Sequence, residues 1–440
     1  MSTTGPEGPV HAAASGGGEA RLRRAEAGAG EMRARPKLLV LNQYYWPGVE
    51  ATAQLLAQLC EALAEEYDVT VVTGHLYGQE LPDEELRNGV RIVRVRSTAY
   101  DRSKLHLRAA NYVSYLADST LTALTGSPPD VVLCMTDPPI VGDIGLLTAR
   151  RFGVPLLVIS QDVFPEIAVS VKRLENRLLV GVLRALVALY LHRADRIVAI
   201  GETMRRRLEA KGAPGERIAV IPNWVDSQEI TPQPRDNEWA RERETVGRFV
   251  VMHSGNIGHA QDLDSLVRAA TFLRDLDDLR LIVIGFGVRH AELRELTRRL
   301  DLADVVRFRP YQPRELLSQT LSAADLHYVG LAKGLSGYVV PSRLYGILAA
   351  GRPVLVGADE DSETVRLVRD VGCGIVVPPG RPELVAQVLR DVHAGEYDLA
   401  ELGGRGRAYV EREADRSVAF CRYRSLLAEM VDGRSSSSDR

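Results

Sequence analysis

Val131-Val132-Leu133-Cys134-Met135-Thr136 and Leu156-Leu157-Val158-Ile159-Ser160 bracket a segment, 140–152, whose apolar residues recur at helical spacing. Neither flanking run alternates. Continuous apolar runs of this length are the pattern of strands buried on both faces of a parallel sheet. Outward from this unit the alternation continues, with strands expected at 37–44, 69–73, 91–96, 196–200 and 217–221 and helices at 51–66, 173–192 and 202–211. Repeated strand–helix units imply right-handed crossovers and a doubly wound sheet.

A break follows at 226–248, which carries Pro232, Pro234 and many charges. The alternation then restarts with runs at 249–254, 280–284, 306–309, 326–330, 353–356 and 374–377. The expected fold class is α/β, with two Rossmann-like doubly wound domains facing a cleft. The expected order is a disordered tail (1–35), an acceptor-side domain (36–225), a linker (226–248), a nucleotide-sugar-binding domain (249–412), a helix with the option of returning to the first domain (413–432), and a disordered tail (433–440). Ligands in such sheets bind outside the carboxyl ends of the strands, so the loops there are where chemistry is expected.

Composition narrows the function. The 440 residues carry 55 basic and 58 acidic side chains, a net charge of -3, which gives no footprint of a nucleic-acid binder. Only five residues are lysine (Lys37, Lys104, Lys172, Lys211 and Lys333). Cys60, Cys134, Cys373 and Cys421 form no CxxC pair, so neither a zinc site nor a disulfide framework is expected and a reducing compartment fits. Residues 1–35 hold no apolar core of a signal peptide, and the longest apolar stretch, 178–191, falls short of a membrane span.

Three loops carry the motifs. The first, 42–52, has one glycine, Gly48, and lacks the GxGxxG pattern, which removes most support for a dinucleotide. Its Tyr44-Tyr45-Trp46 run reads either as packing or as the wall of a ligand site, and Gly48, Glu50 and Thr52 are expected on the acceptor side. The second loop contains Gly255-Asn256-Ile257-Gly258 between a strand and a helix, a turn whose amides suit phosphate, with Asp262 as the expected helix N-cap. In the third, Lys333 and Arg343 flank a helix start marked by Pro341-Ser342. Together with the helix dipole they form an expected diphosphate site.

These segments, with Gln161-Asp162-Val163-Phe164-Pro165-Glu166 and Ile221-Pro222-Asn223-Trp224-Val225-Asp226, resemble the retaining glycosyltransferases of family 4, which have the GT-B fold. Within them the chain is most similar to the colanic-acid and O-antigen branch that includes fucosaminyl-type enzymes. The resemblance implies transfer of a sugar, with retention, from a nucleoside-diphosphate sugar to a glycan precursor or lipid-linked acceptor in cell-surface glycan synthesis. It implies no cofactor and no metal. It also implies front-face attack, in which the leaving phosphate takes the acceptor proton.

The chain departs from the family where the donor binds. The usual Glu-x7-Glu pair falls on Tyr338 and Gly346, the usual Arg is Asn256, and the usual Lys is Gln261. Lys333 and Arg343 are therefore expected to supply the missing positive charge, with Tyr338, Pro341 and Ser342 lining the donor. Glu363 is expected to restore a ribose or sugar contact. Asp162 and Glu166 are expected to orient the acceptor or the donor sugar. Asp359-Glu360-Asp361 is read as charge complement before a helix, not as a metal site.

On the acceptor side, Arg173, Arg177, Arg184 and Arg193 interrupt an apolar helix, and 103–124 adds Lys104, His106, Arg108, Tyr112 and Tyr115. These segments read either as a patch for the cytoplasmic membrane surface or as helices packed between sheet and neighbour. Two further readings stay open: a nucleotide-sugar-processing enzyme on the same fold, such as a 2-epimerase or a phosphorylase, and a nucleotide-sugar-binding protein without catalysis.

Overall fold

The computed structural model describes residues 35–48, 50–98, 100, 105–170 and 174–438. The tail expected at 1–35 lies outside these residues except for Arg35, as do Lys104, Lys172 and Arg173 and the side chains of His106 and Arg108.

The first half runs β1 (Lys37–Leu41), α1 (Ala51–Leu63), β2 (Asp68–Gly74), β3 (Glu84–Arg87), β4 (Val90–Val95), α2 (Leu105–Thr125), β5 (Val131–Met135), α3 (Val141–Phe152) and β6 (Leu156–Ser160). It continues with α4 (Glu166–Ser170), α5 (Arg177–Arg193), β7 (Arg196–Ala199), α6 (Glu202–Ala210) and β8 (Ile218–Val220). Its sheet has the order β3-β4-β2-β1-β5-β6-β7-β8, parallel throughout except for the β3–β4 hairpin. The central strands β5 and β6 are buried at every position, which explains their unbroken apolar runs.

The hairpin strand β3 is absent from the sequence expectation. It is an edge strand with charged Glu84, Glu85 and Arg87 and an exposed Leu86. The signal for it is Asn88-Gly89, both at positive φ (46° and 80°), as a type I′ two-residue hairpin turn requires.

The second half comprises α7 (Glu238–Glu242), β9 (Phe249–Ser254), α8 (Leu263–Ala269), β10 (Leu279–Ile284), α9 (His290–Arg299), β11 (Val306–Arg309), α10 (Leu317–Ser322) and β12 (Leu326–Gly330). Then follow α11 (Arg343–Ala349), β13 (Val354–Gly357), α12 (Glu363–Val371), β14 (Gly374–Val377), α13 (Pro382–His393), α14 (Leu399–Tyr409) and α15 (Arg416–Ser438). Its six strands are all parallel, in the order β11-β10-β9-β12-β13-β14. Both halves are Rossmann-like and lie within one compact unit that begins at Pro36.

The chain crosses between the halves twice, and the crossings pair with each other. Val225 N–H donates to Ala414 O (3.0 Å) and Arg416 N–H to Val225 O (2.9 Å), making a parallel bridge between Val225 and Asp415. Arg416 pairs with Asp226 at 2.7 Å, and the Asp415 carboxylate accepts the Ser227 N–H at 3.0 Å. After the second crossing, α15 packs Tyr423 and Leu427 into the core under the first sheet. There Trp224 meets Phe420 and Tyr423 edge-on, at 5.5 and 5.8 Å between ring centroids. The helix continues to Ser438, where the sequence suggested a disordered tail from 433.

Candidate functional site

At the carboxyl edge of the second sheet, two glycine loops lie flat against each other. Gly255 (φ 141°) and Gly285 (φ 129°) hold conformations that favour glycine. A Cβ on Gly285 would come within 2.0 Å of Gly255 O, and one on Gly287 within 2.2 Å of Ile257 O. Gly255 N–H donates to Ile284 O and Ile257 N–H to Phe286 O, both at 2.9 Å, while Gly258 N–H donates to the Gln261 side chain, also at 2.9 Å. The expectation that all these amides face a phosphate is thus corrected. Three of the four are spent inside the protein, and the Asn256 N–H has no hydrogen-bond partner among the described residues. Gln261, standing where the family has lysine, is used to close the turn.

Arg343 is packed against this turn. A Cβ on Gly255 would lie 3.3 Å from its Nε. Its Nη1 is 3.0 Å from one ring nitrogen of His253 and 3.1 Å from the other. Near-equal distances to two nitrogens that flank Cε1 place the guanidinium over the ring face, because an in-plane approach would collide with Cε1. His253 is fully buried. Desolvation, and then Arg343, push its pKa well below the usual histidine range, so it is neutral. Burial lowers the Arg343 pKa to about 10, opposed by Tyr311, which leaves it charged at neutral pH. Among the described residues no carboxylate lies within ion-pair distance of it. A half-buried guanidinium without a counter-ion beside an unused backbone amide has the chemistry to receive an anion.

Beside it the structure adds residues that the sequence reading missed. Phe286 and Tyr311 are about half exposed at the ends of β10 and β11, with ring centroids 6.2 Å apart. A Cβ on Gly285 would touch the Tyr311 ring at 3.3 Å. The Gly285-Phe286-Gly287 pattern after a strand is the signal that would have found them.

Other expected residues are placed elsewhere. Lys333 is exposed in a recess with Asp359, Glu360 and Arg381, over the ends of β13 and β14, whereas Arg343 lies over the end of β9. The two cations do not flank a single turn. Asp359 accepts the Gly334 N–H at 2.6 Å, and Glu360 pairs with Arg369. Neither Ser342 nor Asp262 caps its helix with a side-chain hydrogen bond. Asp262 instead accepts Ser265 Oγ (2.7 Å) and Gly380 N–H (2.6 Å). The helices α8 and α11 span only seven residues each, too short to lend much dipole. Pro341 is buried before α11.

Several carboxylates and aromatics expected at the ligand are spent on structure. Tyr338 lies under Arg207 of α6 (4.7 Å) and packs on the first-half core rather than facing a donor. A side chain on Gly346 would face Leu321 and Ile230, so a carboxylate at this position would meet apolar atoms. Glu363 accepts Thr203 N–H (2.8 Å) and Oγ1 (2.9 Å) from the first half, which corrects the expected sugar contact. Glu166 accepts Arg184 at 2.9 Å and Lys211 at 2.7 Å. Burial would raise its pKa, but these two partners outweigh that and hold it low, so it serves as an ion-pair centre. Tyr44 and Tyr45 are buried, and Trp46 stacks under Arg87 at 3.7 Å, which decides for packing. Gly48 donates to Tyr45 O and has no room for a Cβ, Glu50 sits at the N-cap of α1, and Thr52 is half-buried in its first turn.

Asp162 keeps an exposed side chain, and its backbone joins the halves. It bridges Val339, and the neighbouring Val163 N–H donates to Tyr338 O at 3.0 Å. Among the described residues no group of three or more His, Cys, Asp or Glu side chains is arranged to hold a metal ion.

Comparison with known proteins adds the family. Residues 47–224 match the family described as Glycosyl transferase 4-like domain, and residues 235–408 match Glycosyl transferases group 1. The chain is 30% identical over 327 residues to D-inositol 3-phosphate glycosyltransferase of Nocardiopsis dassonvillei, covering 70% of this chain and 73% of that protein. It is 28% identical over 309 residues to Probable glycosyltransferase WbjE of Pseudomonas aeruginosa, covering 68% and 76%. In three dimensions it is similar to Anabaena HepE in complex with UDP-glucose, with a TM-score of 0.69, 16% identity, and coverage of 90% of this chain and all of that one.

Proposed function

The chain belongs to the GT-B glycosyltransferases, and from that premise we propose that it moves a sugar from a nucleoside-diphosphate sugar to a lipid-linked or polysaccharide-precursor acceptor with retention, at the cytoplasmic side of the membrane. The observation that carries this reading is Arg343, a cation with no counter-ion against the Gly255 turn. A diphosphate supplies the missing anion. Phe286 and Tyr311 next to it offer a platform for the base. HepE, a neighbour by fold, was crystallised with a donor of this class.

In this reading the acceptor hydroxyl oxygen bonds to C1 of the donor sugar on the face that the diphosphate leaves. The C1–O bond to the diphosphate breaks, and the acceptor proton passes to the departing phosphate oxygen. Arg343 and the Asn256 N–H stabilise the charge that develops there. One such preorganised donor is worth about 10²–10³ in rate. Asp162, at the end of β6, orients the acceptor hydroxyl. No metal or cofactor takes part.

The test begins with thermal shift over UDP, GDP, dTDP and CDP, followed by hydrolysis of the sugar of whichever nucleotide stabilises the protein. Proton NMR of the transfer product then reads the anomeric configuration. An inverted product would reject retention. Stabilisation by no nucleotide would reject the donor assignment.

A further inference from the structure

One face of the first sheet is covered by a single layer of helices, in which α2, α3 and α5 are neighbours of α6. They bury Tyr115, Ile144 and Tyr190 against it, among others. The outward side of that layer is also apolar. On α5, Leu178, Val182 and Leu189 are 81%, 51% and 44% exposed, at helical spacing along one stripe. On α2, Val113 and Leu121 repeat the pattern, and Leu147 of α3, the helix between them, is half exposed. A surface helix needs one apolar face; α5 has two, so a second partner is missing.

Among the described residues, the exposed charge on α2, α3 and α5 themselves has one sign, although Glu175 just before α5 is also exposed. No acidic residue occurs in 177–193. The one acid of α2, Asp118, turns back to accept the Arg96 N–H at 2.8 Å. The one acid of α3, Asp143, has both carboxylate oxygens sealed from solvent. Arg150, Arg151, Arg177 and Arg193 are exposed at the rim. Among the described residues none of the four lies within ion-pair distance of a carboxylate.

We infer that the outward face of α2, α3 and α5 rests on an anionic lipid surface, with the apolar stripes entering the headgroup boundary and the arginines meeting lipid phosphates. A second copy of this chain fits worse, because symmetric pairing would bring arginines together with no exposed acid on these three helices to offset them. These helices follow β4, β5 and β6, and mid-helix residues meet the carboxyl ends (Asp118 of α2 at Arg96, Arg184 of α5 at Glu166), so the layer reaches the edge of the cleft. That position suits an acceptor carried in the membrane, and in this respect the inference rests on the acceptor reading above. Among the described residues no helix is long and apolar enough to cross a membrane, so the contact is with its surface.

Flotation of the full-length protein with equimolar phosphatidylglycerol–phosphatidylcholine vesicles, without donor or acceptor, tests this independently of transfer. Binding is expected at low salt and weakening as salt rises. The double variant Leu178→Glu/Val182→Glu is expected to bind at least about tenfold less, with its melting temperature and nucleotide-sugar hydrolysis unchanged. No flotation of the wild type, or equal flotation of the variant, would overturn the inference. So would a concentration-dependent dimer that the same variant abolishes, which would assign the face to a second copy. Flotation without any transferase activity would leave the surface standing and reject the function instead.

Discussion

Glu363, in the second half, caps a helix of the first: its carboxylate occupies the N-terminus of α6 through Thr203, where Gly201 has no side chain to cap with. A Cβ on Gly201 would lie 2.6 Å from Glu363 Cδ, so the glycine is what admits the carboxylate. The cap exists only while the halves are together. Glu363→Ala is expected to loosen the seam, enlarging the radius of gyration in small-angle scattering and lowering kcat/KM by about fivefold, which corresponds to losing a cap worth about 1 kcal/mol. Unchanged scattering with an unchanged rate would show that other seam contacts suffice.

Arg343→Gln is expected to cut the transfer rate by about 10²-fold or more and to abolish stabilisation by nucleoside diphosphates. Lys333→Ala is expected to cost far less, because Lys333 shares its recess with Asp359 and Glu360. Single-turnover rates on both variants check the order. The reverse order would return the phosphate to the Lys333 loop.

Gly285→Ala combines a positive φ with a Cβ driven into Gly255 O. The two glycine loops must then part, and the Arg343 pocket opens with them. Strain of this kind costs roughly 1–3 kcal/mol. The expected readout is a melting temperature a few degrees lower and a lost nucleotide-induced shift. Retention of that shift would mean that the loop pair does not shape the site.

Asp143 should leave a mark on the pH profile of stability. Burial without a hydrogen-bond partner pushes its pKa from 3.8 to about 7. Between these values the folded protein holds a proton that the unfolded chain has released. Stability therefore falls as pH rises from about 4 to about 7 and levels off above. Asp143→Asn is expected to melt higher than wild type above pH 7, by roughly 2–4 °C, with the difference closing toward pH 4. Calorimetry across that range decides it; parallel curves would mean the carboxylate is solvated.

The strands were legible because burial on both faces writes itself as an unbroken apolar run, as in β5, β6 and β13. β3 was not, since an edge strand with Glu84 and Glu85 carries no such run. The link between the Gly255 turn and Arg343 could be anticipated because both follow strands at the same edge of one sheet. The fates of Glu166, Glu363 and Tyr338 could not. Each is fixed by a partner distant in sequence: Lys211, Thr203 and Arg207. Charge and aromaticity mark such residues as polar or sticky without saying which distant group will claim them.

The return of α15 beneath the first sheet limits how this protein can be recombined. Tyr423 and Leu427, with Ala419, Leu426 and Met430 of the same helix, complete a core whose remaining members, Trp224 among them, come from the front of the gene. The first half is thus not one contiguous coding block. A chimera that imports 36–225 from a relative must import the matching terminal helix as well, or join two surfaces that never adapted to each other. Change of acceptor in this lineage is therefore expected to proceed by substitutions in place, or by exchange of both blocks at once.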